Sequence, residues 1–179
     1  MLKLRRLEYF PTPHENSMRN WKRIAHPLRT VKNFIIITIG RFMPSLRVKS
    51  FLYRTFLGMK IGQDVGIGLM AMVDIFHPEK ITIGDKSVLG YNSTILCHEF
   101  LPDEYRLGPV EIGKNVLIGA NTTVLAGVKI GDGALISAGS LVNRDVPPYT
   151  LAMGVPIKIV KRLKKDAQGE LENVEEVAE

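Results

Sequence analysis

The chain has 179 residues, 45% of them hydrophobic, enough for one sizeable core without a second large domain. Its net charge of +6 is uneven: residues 1–60 hold 13 Lys/Arg against 2 Glu, and the rest holds 11 Lys/Arg against 16 acids. The single Cys97 cannot form an internal disulfide, and the opening MLKLRRLEYF lacks the apolar core and cleavage site of a secretory signal. The longest apolar run, Phe34 to Gly40, falls far short of the ~20 residues a spanning helix needs. A cytoplasmic chain is expected, with peripheral contact at the inner face of a membrane through basic residues 1–60 as a further expectation. No nucleic-acid motif accompanies that charge, so no nucleic-acid partner is expected.

In chain order, residues 20–57 mix aliphatic and aromatic side chains with Arg and Lys at roughly helical spacing, broken at Pro27 and Pro44. The spacing predicts helices over 28–42 and 45–57. A period of six takes over from Ile61. The hexads are IGQDVG, IGLMAM and VDIFHP from Ile61; IGDKSV, LGYNST and ILCHEF from Ile83; IGKNVL, IGANTT and VLAGVK from Ile112; and IGDGAL, ISAGSL and VNRDVP from Ile130. Position one is always Ile, Leu or Val, position two is Gly in seven of the twelve, and position five is small or β-branched in ten.

Neither the 3.6 period of a helix nor the period of two of a half-exposed strand fits this pattern. A triangular solenoid does, with three short parallel strands per 18-residue coil, the aliphatic position pointing inward and small residues turning the corners. Four coils follow, 61–78, 83–100, 112–129 and 130–147, interrupted by insertions at 79–82 and 101–111. The second insertion is expected to project as a loop beside His98, held by Glu99 through Arg106 or Tyr105. The predicted fold is all-β, a parallel β-helix with an N-terminal helical segment (1–57), a solenoid domain (58–163) and a short C-terminal extension. Residues 157–165 read as a basic helix or strand, and the acidic tail 164–179 as solvated and partly disordered from 166 on. The helices are expected to cap the exposed strand edges of the first coil, with their aromatics on the coil and their charges in water.

The segment IGANTTVLAGVKIGDGALISAGSLVNRDVPPYTLAMGVPIKIVKR, residues 118–162, resembles the C-terminal signature of hexapeptide acyltransferases of the maltose/galactoside O-acetyltransferase type, and the similarity extends over residues 58–163. The pattern GYNSTILCHEF is similar to that of bacterial acyltransferases with uncharacterised acceptors. The resemblance implies a left-handed β-helix, a homotrimer, and acetyl-CoA as acyl donor to a hydroxyl of a sugar or polysaccharide precursor. The hand rests on the resemblance alone, because parallel crossovers are otherwise right-handed.

Acyl transfer from a thioester to a hydroxyl needs a base, a donor for the developing oxyanion and a slot for the carrier. Of the four histidines, His98 stands at a coil edge and matches the family's catalytic position, and a free imidazole titrates near ~6.5, suited to a general base at neutral pH. Asn92 and Glu99 are candidate acceptor contacts. Met70, Met72 and Asp74 occupy the stretch where sugar acetyltransferases contact the acceptor. The resemblance assigns Gly119, Ala120, Ser137, Ala138 and Gly139 to the pantetheine groove, and Arg144, Lys158, Lys161 and Arg162 to the nucleotide phosphates of coenzyme A. A zinc site would need three converging histidines, and the solenoid holds only His77 and His98, so no metal is expected. The competing reading is a scaffold, non-catalytic or membrane-associated, built on the same solenoid.

Overall fold

A computed structural model describes residues 5–12, 16–165 and 171–176. Strand β1 (Glu8–Pro11) comes first, followed by α1 (Trp21–Ile24), α2 (Pro27–Phe42) and α3 (Leu46–Leu57). The coils are β2 (Lys60–Ile61), β3 (Gly66–Ile67) and β4 (Met72–Val73), then β5 (Ile81–Ile83), β6 (Val88–Leu89) and β7 (Thr94–Ile95). A hairpin of β8 (His98–Phe100) and β9 (Glu104–Leu107) interrupts them before β10 (Val110–Ile112), β11 (Leu117–Ile118) and β12 (Thr123–Val124). The last coil is β13 (Lys129–Ile130), β14 (Leu135–Ile136) and β15 (Leu141–Val142), and β16 (Thr150–Met153), β17 (Lys158–Lys165) and β18 (Leu171–Glu176) follow it.

The hexads close into a parallel β-helix. Position-one residues stack in three columns, Ile61/Ile83/Ile112/Ile130, Ile67/Leu89/Ile118/Ile136 and Val73/Ile95/Val124/Val142, in parallel register and all buried. Position five also points inward, with Val65, Ala71, Ser87, Ser93, Val116, Thr122, Val128, Ala134, Ser140 and Val146 buried. A continuous aliphatic column therefore replaces the two-layer core of an ordinary small domain.

The corners are made differently from the sequence expectation. Position four, not the glycine at position two, takes the left-handed backbone at Asp64, Met70, Lys86, Asn92, Asn115 and Asn121, as well as at Gly127, Gly133 and Gly139. The position-two glycines let successive coils approach: a Cβ on Gly90 would lie 2.6 Å from the Ala120 nitrogen, and one on Gly119 2.3 Å from the Ala138 nitrogen. The strand register thus gives three corner columns: Asp64/Lys86/Asn115/Gly133, Met70/Asn92/Asn121/Gly139 and Phe76/His98/Gly127/Asp145.

The N-terminal region is not helical throughout. β1 adds antiparallel to β9, so the insertion at 101–111, expected as a loop, lies in a three-stranded sheet β1–β9–β8. The chain from Lys158 to Lys165 is a strand, and the tail is not wholly irregular, because β18 pairs antiparallel with β17 at the end of the sheet extended by β16. Residues 166–170 and 177–179 of that tail lie outside the described residues.

The two helices at 27–42 and 46–57 do cap the first coil, but with a mixed face in which Ile37, Tyr53 and Leu57 join the core beside buried polar groups. β2, β3 and β4 are edge strands. Their surroundings are met by polar groups: Lys49 Nζ donates to the Ile67 and Gly68 carbonyls at 3.0 and 2.8 Å, Asn33 to Ile75 at 2.9 Å, and Arg54 Nε to Ile61 at 2.8 Å. The Met70 amide donates to the Arg41 carbonyl at 2.8 Å. Gly40 is required because the Tyr53 ring lies where its Cβ would be, 2.4 Å away. Most of the aliphatic and aromatic residues of both helices point outward. Among the described residues, no helix is long and apolar enough to cross a membrane.

Candidate active site

His98 begins β8, where the chain leaves the solenoid for the hairpin. Its ring is largely covered, 15% exposed, and its Nδ1 lies 2.5 Å from Asp74 Oδ2. Asp74 is position two of VDIFHP, a place usually held by Gly, one coil below. The Val73–Ile95 register sets it beside the end of the next coil, where the chain reaches Cys97 and His98.

The Asp74 carboxylate takes four donors. Oδ1 accepts from the amides of Phe76 at 2.9 Å and His77 at 2.8 Å, and Oδ2 from the Cys97 amide at 2.7 Å as well as from His98. Burial alone would push this carboxyl up, but the hydrogen bond and charge of His98, with the His77 and Cys97 amides, hold it below the ordinary aspartate range. An ionised Asp74 fixes the proton of His98 on Nδ1, which leaves Nε2 as the basic nitrogen. Burial, with the Asp74 charge adding to it, pushes the Cys97 thiol up, so the sulfur next to the histidine is a poor nucleophile.

Asp74, expected as an acceptor contact, thus lies beneath His98, 1% exposed. Aromatic rings surround the histidine instead. Phe76 meets it edge-on at 4.8 Å and Phe100 at 5.0 Å, and Trp21 packs on Phe76 at 6.0 Å. The hexad period carried no sign of this cluster, because its members come from α1, the first coil and the hairpin.

Glu99 is turned to the other side of β8, as strand alternation requires. It is ion-paired with Arg5 rather than with Arg106 or Tyr105, and Arg106 pairs with Glu104 at 2.5 Å. The reason is β1, which brings the N-terminal strand alongside and supplies a cation that local reading could not anticipate. Met72 packs against the core from β4. Met70 and Asn92 sit at corners with φ of 61° and 54°, and Asn92 donates its amide to Asn121 at 2.9 Å. Both occupy a different corner column from His98.

The groove residues share that second corner. Gly119 is packed under the Ala138 backbone, whereas Ala138 and Gly139 are exposed and a Cβ on Gly139 would meet nothing within 4 Å. Arg144, expected at the phosphates, donates Nε and Nη2 to the Ile157 carbonyl at 3.1 and 2.7 Å, which braces the turn into β17. Lys158, Lys161 and Arg162 lie on β17, with Lys158 and Arg162 exposed. Among the described residues, no group of three or more His, Cys, Asp or Glu could hold a metal ion.

The family model for the bacterial transferase hexapeptide (six repeats) matches residues 109–144. The provisionally named acetyltransferase YvoF of Bacillus subtilis (strain 168) is 48% identical over 172 residues, covering 92% of this chain and 100% of that protein. A similarly named protein of Staphylococcus aureus (strain MSSA476), SAS0727, is 46% identical over 151 residues, covering 83% and 94%. This chain is a hexapeptide-repeat acetyltransferase. Its fold is shared with the hexapeptide-repeat acetyltransferase VCA0836 of Vibrio cholerae, at TM-score 0.61 and 21% identity over 75% of this chain and 90% of that one. A galactoside acetyltransferase solved with coenzyme A gives TM-score 0.60 at 22% identity, covering 76% of this chain and 81% of that one. In this acetyltransferase the Asp74–His98 pair lies on the first two coils of the solenoid, ahead of the residues matched by the family model.

Proposed function

We propose that the protein transfers the acetyl group of acetyl-CoA to a hydroxyl of a sugar or polysaccharide precursor, with His98 as general base. The observation that carries this reading is the Asp74–His98 contact at 2.5 Å, which leaves Nε2 as the basic nitrogen beside an aromatic cluster. Nε2 takes the acceptor proton as its oxygen attacks the thioester carbonyl carbon. The tetrahedral oxyanion then collapses, the C–S bond breaks, and the departing sulfur receives the proton back from the imidazolium. Free coenzyme A and an O-acetyl ester result. Asp74 is a positioning residue: it holds the ring and stabilises the imidazolium that forms.

The donor reading is supported by the V. cholerae neighbour, which was also solved with acetyl coenzyme A. The pantetheine arm is assigned to the corner of Ala120, Ser137, Ala138 and Gly139, and the phosphates to Lys158, Lys161 and Arg162. The enzyme is read as a cytoplasmic homotrimer. The test is thiol release from acetyl-CoA in the presence of a saccharide acceptor. His98→Ala is expected to lower kcat by about 10²–10⁴, and to lower the thermal midpoint as well because it removes a donor from buried Asp74 and the contacts with Phe76 and Phe100; full activity in that variant overturns the mechanism.

A further inference from the structure

The helical cap turns most of its apolar side chains outward. On α2, Thr30, Asn33, Ile37 and Gly40 face the solenoid, while Leu28, Val31, Ile35, Ile39 and Phe42 form an outward stripe at helical spacing with Phe34 beside it. On α3, Lys49, Ser50, Tyr53 and Leu57 are buried, while Leu46, Val48, Phe51 and Phe56 point outward. The inward face is explained by the edge of the first coil, which offers carbonyls that Lys49, Asn33 and Arg54 satisfy. Nothing in the described chain covers the outward face: Leu28 is 75% exposed, Phe42 66% and Phe51 59%. A soluble surface does not ordinarily keep so many large apolar side chains together.

Charge decides what covers it. Residues 16–63, which contain both helices, hold ten Lys/Arg and no Asp or Glu, and of these Lys49 and Arg54 are turned to first-coil carbonyls and Arg29 to Glu79, so the outward charge comes from the others. A second copy of the cap would bring the same positive charge against itself, so cap-to-cap docking is opposed. A bilayer with anionic headgroups satisfies both features, because apolar side chains enter the acyl boundary while Arg and Lys meet the phosphates.

We propose that the outward face of α2 and α3 is a docking surface for an anionic lipid bilayer. In the trimer proposed above, prisms side by side about one rotation axis carry their caps at the same end, so three such faces meet one plane. His98 closes the second coil from the cap. With coils ~4.8 Å apart and a helix ~10 Å thick, it stands within roughly 20 Å of that plane. The surface rests on the trimeric reading only for its avidity, not for its existence.

The test is co-sedimentation of the full chain with vesicles of phosphatidylcholine alone and of phosphatidylcholine with one third phosphatidylglycerol. Binding is expected only to the second, and its loss in ~1 M salt, where the Debye length is ~3 Å. The combined variant Phe34→Gln, Ile39→Gln, Phe42→Gln is expected to partition at least tenfold less with an unchanged thermal midpoint. Arg47→Glu, on an exposed side chain, is a second variant and is also expected to weaken binding. Absence of binding to phosphatidylglycerol vesicles at low salt overturns the proposal, as does wild-type partitioning by both variants. Self-association beyond a trimer that the Gln variant abolishes, with vesicles left unbound, assigns the face to a protein partner and equally overturns it. Sedimentation does not depend on turnover, so a protein that binds vesicles but releases no thiol would refute the enzymatic reading and leave this one standing.

Discussion

The Asp74 carboxylate accepts four hydrogen bonds and carries the general base, so its replacement should affect both chemistry and stability. Asp74→Asn keeps the size of the side chain but presents an amide that can donate to Nδ1, which favours the wrong imidazole tautomer. A fall in kcat of about 10²–10⁴ with KM little changed is expected, together with an altered pH profile. An equal rise in KM with kcat unchanged would assign Asp74 to acceptor binding instead. The same residue makes a stability prediction. Its carboxyl is held below its unfolded range, so its stabilisation is fully present above the unfolded pKa of ~3.9 and lost as pH falls through the folded value. The stability gap between wild type and Asp74→Asn, followed by denaturant unfolding, should be flat at neutral pH and shrink in acid below pH ~4. Sequence made His98 visible through its place in ILCHEF, and it made Asp74 visible only as a candidate acceptor contact. It did not reveal their contact, which spans 24 residues and depends on the register of two coils.

At the scale of elements, the strands and the cap differ in how far the sequence disclosed them. The hexads announced themselves because an interior of stacked rows admits only aliphatics at position one and small or β-branched residues at position five. The helices announced only that an apolar stripe exists. Its direction followed from a partner surface made of edge-strand carbonyls, which no periodicity encodes. The hairpin at 98–107 was similarly hidden, since its third strand comes from residues 8–11. Lys49 tests the account of the cap. Lys49→Met would leave the Ile67 and Gly68 carbonyls without their donor, a loss of about 1–3 kcal/mol partly offset by relief from burying an ammonium. Calorimetry should show a lower thermal midpoint for the variant at neutral pH. Burial lowers the Lys49 pKa in the folded state, so in alkaline solution the unfolded chain binds the extra proton. The wild type should therefore gain on the variant as pH rises from the folded value toward the unfolded ~10.4. A Met variant equal to wild type at every pH would mean that the carbonyls are satisfied otherwise.

The whole molecule poses a geometric problem that one chain does not solve. His98 sits on the corner column Phe76/His98/Gly127/Asp145, whereas the open groove position Gly139 sits on the column Met70/Asn92/Asn121/Gly139, at a different corner of the triangle. With the pantetheine arm on the second corner, as proposed, the thioester would reach a histidine only if another prism brought its own first corner alongside. Three prisms in a closed ring give every groove one such histidine, which two related by a twofold axis would meet only through an isologous contact. The proposed ring would also return Asn92, exposed on the groove corner, to the neighbourhood of a partner's base. The prediction is complementation. His98→Ala removes the base, and Gly139→Asp places a charged side chain where a Cβ now meets open space and φ is 71°. Each variant alone should be inactive, and each should assemble as a particle of three chains by light scattering. Mixed under conditions that allow chain exchange, they should recover activity, because some grooves then pair an intact Gly139 corner with an intact His98 from the neighbour. A site contained within one chain would gain nothing from mixing, and an active monomer would remove the need for a partner altogether.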